Sequence, residues 1–152
     1  MMLDAGLAWL HFIFAFVLVG ALTAEAFILR LPVDGRVARL LLRVDLFYGA
    51  SAVLLILAGA SRVIWGAKGW SYYLASPFFW AKIAVFAVIG LLSILPTATF
   101  IRWNSAAGAD PAFAPAEVEV KRIRRFVIGE THLVTLLLLF EIGRASCRER
   151  VS

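Results

Sequence analysis

Long apolar runs separated by short basic stretches decide what this chain can fold into. The first run, Ala5 to Leu29, carries only His11 and Glu25 as ionisable interruptions. At about 1.5 Å per residue it can cross a hydrocarbon layer about 30 Å thick as a helix. A second run goes from Leu46 to Gly66 and a third from Pro77 to about Trp103. A fourth helix is expected from Pro115, because proline suits the first helical turn, and it meets lipid near Phe126. The expected fold is therefore all-α: an antiparallel, up-down, four-transmembrane-helix bundle in one domain, 1–140, with helices about 5–29, 46–66, 77–103 and 115–140.

Composition supports a lipid solvent. The 152 residues are 62% hydrophobic and only 16% charged, whereas a water-soluble domain has about a quarter charged residues. The net charge of +5 does not indicate a nucleic-acid partner, because the basic residues punctuate the apolar runs and form no separate basic domain. That is the pattern of topology signals. Arg30, Arg36, Arg39 and Arg43 lie between the first two runs, and Arg102, Lys121, Arg122, Arg124 and Arg125 between the last two; Lys68 stands alone in the middle loop. Basic loops stay on the cytoplasmic side, so both termini are expected outside.

The first run has no basic leader and no clear small-residue cleavage site, and is read as a retained helix. Residues 141–152 resemble a translated sequencing-adapter read-through and are expected to be non-native. Without them the net charge is +4. The apolar stretch before them ends at Phe140, about 15 residues after Arg125 where about 20 are needed, so the fourth helix is expected to be clipped.

Several local features follow. Pro96 removes a backbone donor and should bend the third helix. Val37, Leu40, Leu41 and Val44 recur at helical spacing opposite Arg36, Arg39 and Arg43, which predicts a short surface helix ahead of the second span. Asn104 to Ala114 reads as a flexible loop. The aromatics between Trp70 and Trp80 read as an interfacial belt. Cys147 is the single cysteine, so no internal disulfide and no cysteine metal cage can form. Two histidines do not make a zinc site, and no nucleophile or phosphate-loop motif is present.

Ionisable residues inside spans are costly and point to function. They fall in two layers. His11 lies about 9 Å, Arg62 about 6 Å and Lys82 about 8 Å below the outer boundary, a cationic trio that a haem, another anionic ligand or a lipid phosphate would neutralise. Nearer the cytoplasm, Glu25, Asp45, Tyr48, Glu130 and His132 form a mainly acidic inner layer. Fourteen residues, nearly four turns, separate His11 from Glu25 and Tyr48 from Arg62, so each pair shares a stripe. Glu130 and His132 point to nearly opposite faces, and Glu130 is the better candidate for the bundle axis. The competing reading pairs the inner carboxylates with Arg30, Arg43 or Arg102 to hold the helices in register.

Leu10-His11, Ala24-Glu25, Asp45-Leu-Phe-Tyr48-Gly49, Ala60-Ser-Arg62-Val63, Gly66-Ala-Lys68-Gly69, Phe79-Trp80-Ala-Lys82, Leu92-Ser93-Ile-Leu-Pro96 and Gly129-Glu130-Thr-His132 resemble a bacterial membrane family, domain of unknown function 2214, over residues 2 to 140. The resemblance implies a multi-pass protein of the bacterial inner membrane and brings no established activity. An early histidine and a Trp-x-Lys in a four-helix membrane bundle are also similar, in architecture alone, to HemJ-type protoporphyrinogen oxidases and CopD-type proteins.

Three functions compete. The first is a non-catalytic binding or structural membrane protein whose partners are membrane lipids or an anionic ligand in the outer third. The second is a haem or porphyrin redox protein, with His11 as an axial ligand and Arg62 and Lys82 beside propionates, or with His11 and Lys82 as the ligand pair, which fits the depths better. The third is a small transporter or proton relay using Glu25 and Glu130, which needs a polar cavity or a homo-oligomer to form its path.

Overall fold

The computed structural model describes residues 2–65, 71 and 74–149, with the side chains of 6–61, 63–65, 71 and 74–139. Four long helices account for nearly all of it: α1 Met2–Ile28, α2 Gly35–Trp65, α3 Pro77–Ala109 and α4 Glu117–Glu149. α1 packs on α2, α2 on α3, α3 on α4, and α4 returns to α1, which closes a ring with no diagonal packing among the described residues.

Local chemistry sets the helix ends. Asp34 Oδ1 accepts hydrogen bonds from the backbone N–H groups of Arg36 (2.9 Å) and Val37 (2.8 Å). It thereby satisfies two of the donors that the first turn of α2 leaves open. α3 begins with Pro77, and the backbone N–H of its C-cap Asp110 bonds to Ala106 O. Asp110 Oδ1 then takes the N–H of Ala112 at 2.8 Å and turns the chain.

Burial follows a seam of three- and four-residue steps, the helical repeat that keeps one stripe facing inward. On α1 the buried positions are Ala15, Leu18, Leu22 and Glu25, with Leu29 just beyond the helix end; on α4 they are Ile123, Val127, Glu130 and Val134. Phe100 and Trp103 on α3 are the largest fully buried side chains and contact one another at 5.9 Å between ring centroids. The outside is apolar too: Trp9, Phe16, Phe47 and Leu91 are all more than 60% exposed. In water this surface would be untenable; lipid chains solvate it at no cost.

Several sequence expectations change here. α2 is one continuous helix from Gly35, eleven residues earlier than expected, so the amphipathic stretch carrying Leu41 is its first turns and not a separate surface helix. Asp34 explains the early start, since the cap lies ahead of that stretch. α3 runs to Ala109, six residues past Trp103, and takes in half of the stretch expected as a loop. α4 starts at Glu117, two residues after Pro115, with the Ala116 carbonyl accepting from Glu119 and Val120. Glu117 and Glu119 in its first turn suit the positive end of the helix dipole better than an earlier start would. α3 also continues through Pro96, whose side chain is fully buried in the seam.

Three of the four helices, over Gly6–Ile28, Gly35–Trp65 and Pro77–Ala109, are long and apolar enough to cross a membrane. α4 is as long as α3, but its apolar part, Phe126 to Phe140, covers only about 22 Å at the helical rise.

Candidate functional site

The buried seam is apolar apart from Ser51 and Thr99, whose hydroxyls bond carbonyls of their own helices, and one level to which all four helices contribute a polar side chain. Glu25 comes from α1, Asp45 and Tyr48 from α2, Ser93 and Thr97 from α3, and Glu130 from α4. Glu25 and Glu130 are each 1% exposed and Asp45 is 4%. The same helical repeat that buries Leu18 and Leu22 buries Glu25, and the one that buries Val127 and Val134 buries Glu130. Their burial is a consequence of phase.

The contacts between helices run in opposite order along neighbours. Gly35 approaches Ala107, where an added Cβ would come within 3.2 Å of the alanine Cβ. Thr97 Oγ1 donates to Asp45 Oδ1 at 3.0 Å, and the Tyr48 and Ser93 hydroxyls meet at 2.7 Å. On the other side of α3, Ser93 Oγ lies 3.1 Å from Glu130 Oε2, and Trp103 Nε1 donates to Glu119 Oε2 at 3.3 Å. Ser93 is thus the junction of the site, reaching α2, α4 and the Ile89 carbonyl of its own helix at 2.8 Å.

Glu25 faces the electrostatic fields of both Asp45 and Glu130. Glu25 Oε1 and Glu130 Oε1 are buried and accept no hydrogen bond. The ion pairs expected for the inner carboxylates are not formed among the described residues. Arg102 bonds instead to Glu119 on α4, and Arg30 stands over the Phe27 ring at 5.0 Å. Arg43 is exposed. All three arginines are exposed, where water or a headgroup solvates them more cheaply than the core does.

His132 is not in the cluster. Two residues from Glu130 is a rotation of about 200°, and its exposed ring Nδ1 lies 2.7 Å from the Ile128 carbonyl of its own helix. Of the outer trio, His11 is half-buried and packs against Gly59 of α2, where an added Cβ would come within 3.6 Å of its Cε1. Lys82 is half-buried in the first turns of α3. The Arg62 side chain and Lys68, with Trp70, Tyr72 and Tyr73 of the middle loop, lie outside the described residues. At the edge of that loop Trp80 is about half exposed, packs edge-on to Phe79 at 5.7 Å, and donates through Nε1 to the Leu74 carbonyl at 3.1 Å.

Sequence reasoning passed over Thr97 and Gly59. Thr97 stands one turn after Ser93, and Gly59 one turn before Arg62, so helical phase from residues already singled out was the available signal. The hydroxyls of Tyr48, Ser93 and Thr97 all enter this polar level.

All-helical packing, an apolar exterior and three helices of spanning length define a multi-pass membrane protein. Within that class the chain belongs to the family described as predicted membrane protein (DUF2214), whose model matches residues 3–144. No curated protein and no solved structure matches the chain.

Proposed function

We propose that the chain is a non-catalytic binding protein of the bacterial inner membrane, an up-down bundle with both termini outside, whose inner polar cluster holds positive charge among apolar helices. One observation supports this most: Glu25 and Glu130 are almost completely buried, each with an unpartnered carboxyl oxygen, and no Lys or Arg bonds to either among the described residues. A buried carboxylate costs several kcal/mol unless it is paired, and one left without a cation in the membrane is less tolerable still. A cluster that served packing alone would gain more from amides or apolar groups, so the charge is balanced by a proton or a small guest cation.

The same residues suit binding better than transport. One or two turns further along the seam the buried positions are Leu18 on α1, Leu55 on α2, Ile89 on α3 and Val134 on α4. That is an apolar plug, and a path across the membrane would have to pass it.

The test is thermal unfolding of the purified protein in detergent or nanodiscs across a series of protons, sodium, potassium, magnesium and calcium. A ligand that binds only the folded state adds about 2.7 kcal/mol at a hundred times its dissociation constant. At least one member of the series should raise the unfolding midpoint of the wild type and leave a Glu25→Gln/Glu130→Gln double variant unmoved. A midpoint indifferent to every cation, protons included, would overturn the reading.

A further inference from the structure

We propose that the positive charge in the inner cluster is a proton carried on Glu130, and that the Ser93 hydroxyl turns between the Ile89 carbonyl and the Glu130 carboxyl as that proton comes and goes. This rests on the cluster being a site for positive charge and names the charge.

A serine hydroxyl has one hydrogen to give and two lone pairs with which to receive. Three oxygens lie within hydrogen-bond reach of Ser93 Oγ: Ile89 O at 2.8 Å, Tyr48 Oη at 2.7 Å and Glu130 Oε2 at 3.1 Å. A carbonyl only accepts, so when all three contacts are hydrogen bonds the Ser93 hydrogen goes to Ile89. Tyr48 and Glu130 must then both donate to Ser93, and a carboxyl group donates only when it carries a proton. All three distances are satisfied together by protonated Glu130. With Glu130 ionised, the single Ser93 hydrogen serves one of two acceptors and the other short contact, fully buried, is left without a hydrogen.

A second observation points the same way. Glu130 Oε1 and Glu25 Oε1 are buried and unpartnered inside the cluster. The groups that face Glu130 are Glu25 from α1, Asp45 and Tyr48 from α2 and the uncharged Ser93 from α3. None of them is basic, so nothing in that set supplies positive charge except a hydrogen ion.

The step balances simply. On release the Glu130 O–H bond breaks, its electron pair stays on the carboxylate, and the proton passes to a neighbouring carboxylate or to water. The Ser93 O–H then rotates from Ile89 O to Glu130 Oε2, so the new carboxylate gains the donor it lacks. Nothing is oxidised or reduced. Ser93 touches the titrating group and positions it.

Infrared difference spectroscopy of the protein in lipid nanodiscs, stepped from acid to alkaline buffer, tests this. The wild type should show a protonated-carboxyl C=O band that shifts in D2O, and Glu130→Gln should lose it. Ser93→Ala should keep a band but move its frequency and the pH at which it disappears. Ser93→Ala carries the test alone if Glu130→Gln does not fold. A band unaltered in either folded variant would overturn the assignment to Glu130. A wild type with no such band, whose unfolding midpoint instead rises with a metal chloride at fixed pH, would replace the proton by a metal ion and leave the cation site standing.

Discussion

Tyr48 and Ser93, on α2 and α3, are joined hydroxyl to hydroxyl at 2.7 Å inside the bundle. Interhelical hydrogen bonds in membranes average about 0.6 kcal/mol and reach about 1.7. Tyr48→Phe keeps the ring packing and removes the bond, so it should destabilise the protein by about 1 kcal/mol. A double-mutant cycle with Ser93→Ala, followed by unfolding in mixed micelles, should return a coupling of that size. Additive single-site effects would show that the two hydroxyls are adjacent without being bonded.

Most of this level of the bundle was legible in the sequence. Glu25, Asp45, Tyr48 and Glu130 stood out because a charge or phenol inside a long apolar run costs energy, and that cost is visible without coordinates. Their partners were not legible in the same way. Arg102 was weighed as a partner for the inner carboxylates, and it bonds instead to Glu119 in the first turn of α4. Helix ends also escaped, because the Asp34 cap and the acidic first turn of α4 are set by a few polar residues that no apolar run reveals. His132 falls in the inner layer by depth, and the helical phase that favoured Glu130 for the bundle axis turns it outward.

Trp103 holds α3 to α4 from two sides, with its ring buried to 2% and its Nε1 on Glu119. The Arg102–Glu119 pair beside it is exposed, and such pairs contribute at most about 1 kcal/mol. Trp103→Ala should therefore cost about 3–5 kcal/mol, and Arg102→Ala much less. Comparable losses in the two variants, measured by reversible unfolding, would mean that the ion pair and not the ring fastens the helices.

Two glycines separate by the space beside them. A Cβ at Gly59 meets His11 at 3.6 Å, an ordinary contact, whereas one at Gly35 comes within 3.2 Å of Ala107 Cβ. Gly59→Ala should gain up to about 1 kcal/mol from helix propensity. Gly35→Ala has less to gain, because it stands at the first helical position and presses α2 away from α3. Thermal midpoints should rank Gly59→Ala above Gly35→Ala, and the reverse order would contradict this packing.

Asp34 caps α2 at its exposed start, and the backbone N–H groups of Val37 and Arg36 hold its carboxyl below the ordinary 3.8. A carboxyl lowered in the folded state stabilises above its unfolded value and loses that contribution as pH falls through the folded one. The stability gap between wild type and Asp34→Ala should therefore stay constant above about pH 5 and shrink below about pH 4. A gap that widens in acid would mean that the carboxylate is not what caps the helix.

Absorption spectra separate the inner cluster from the outer trio. If positive charge in the inner cluster is the whole of the chemistry, protein purified from haem-replete cells is colourless. A Soret band that survives purification and vanishes in His11→Ala or Lys82→Ala would instead make the outer third a haem site.

If the buried carboxyls hold positive charge, that charge leaves them on unfolding and can be counted. In weak buffer near neutral pH, with an indicator dye for protons and elemental analysis for metals, detergent-induced unfolding of the wild type should release at least about one positive charge per chain. The Glu25→Gln/Glu130→Gln variant, folded beforehand, should release none. Equal release from the two proteins would mean that Glu25 and Glu130 hold no such charge.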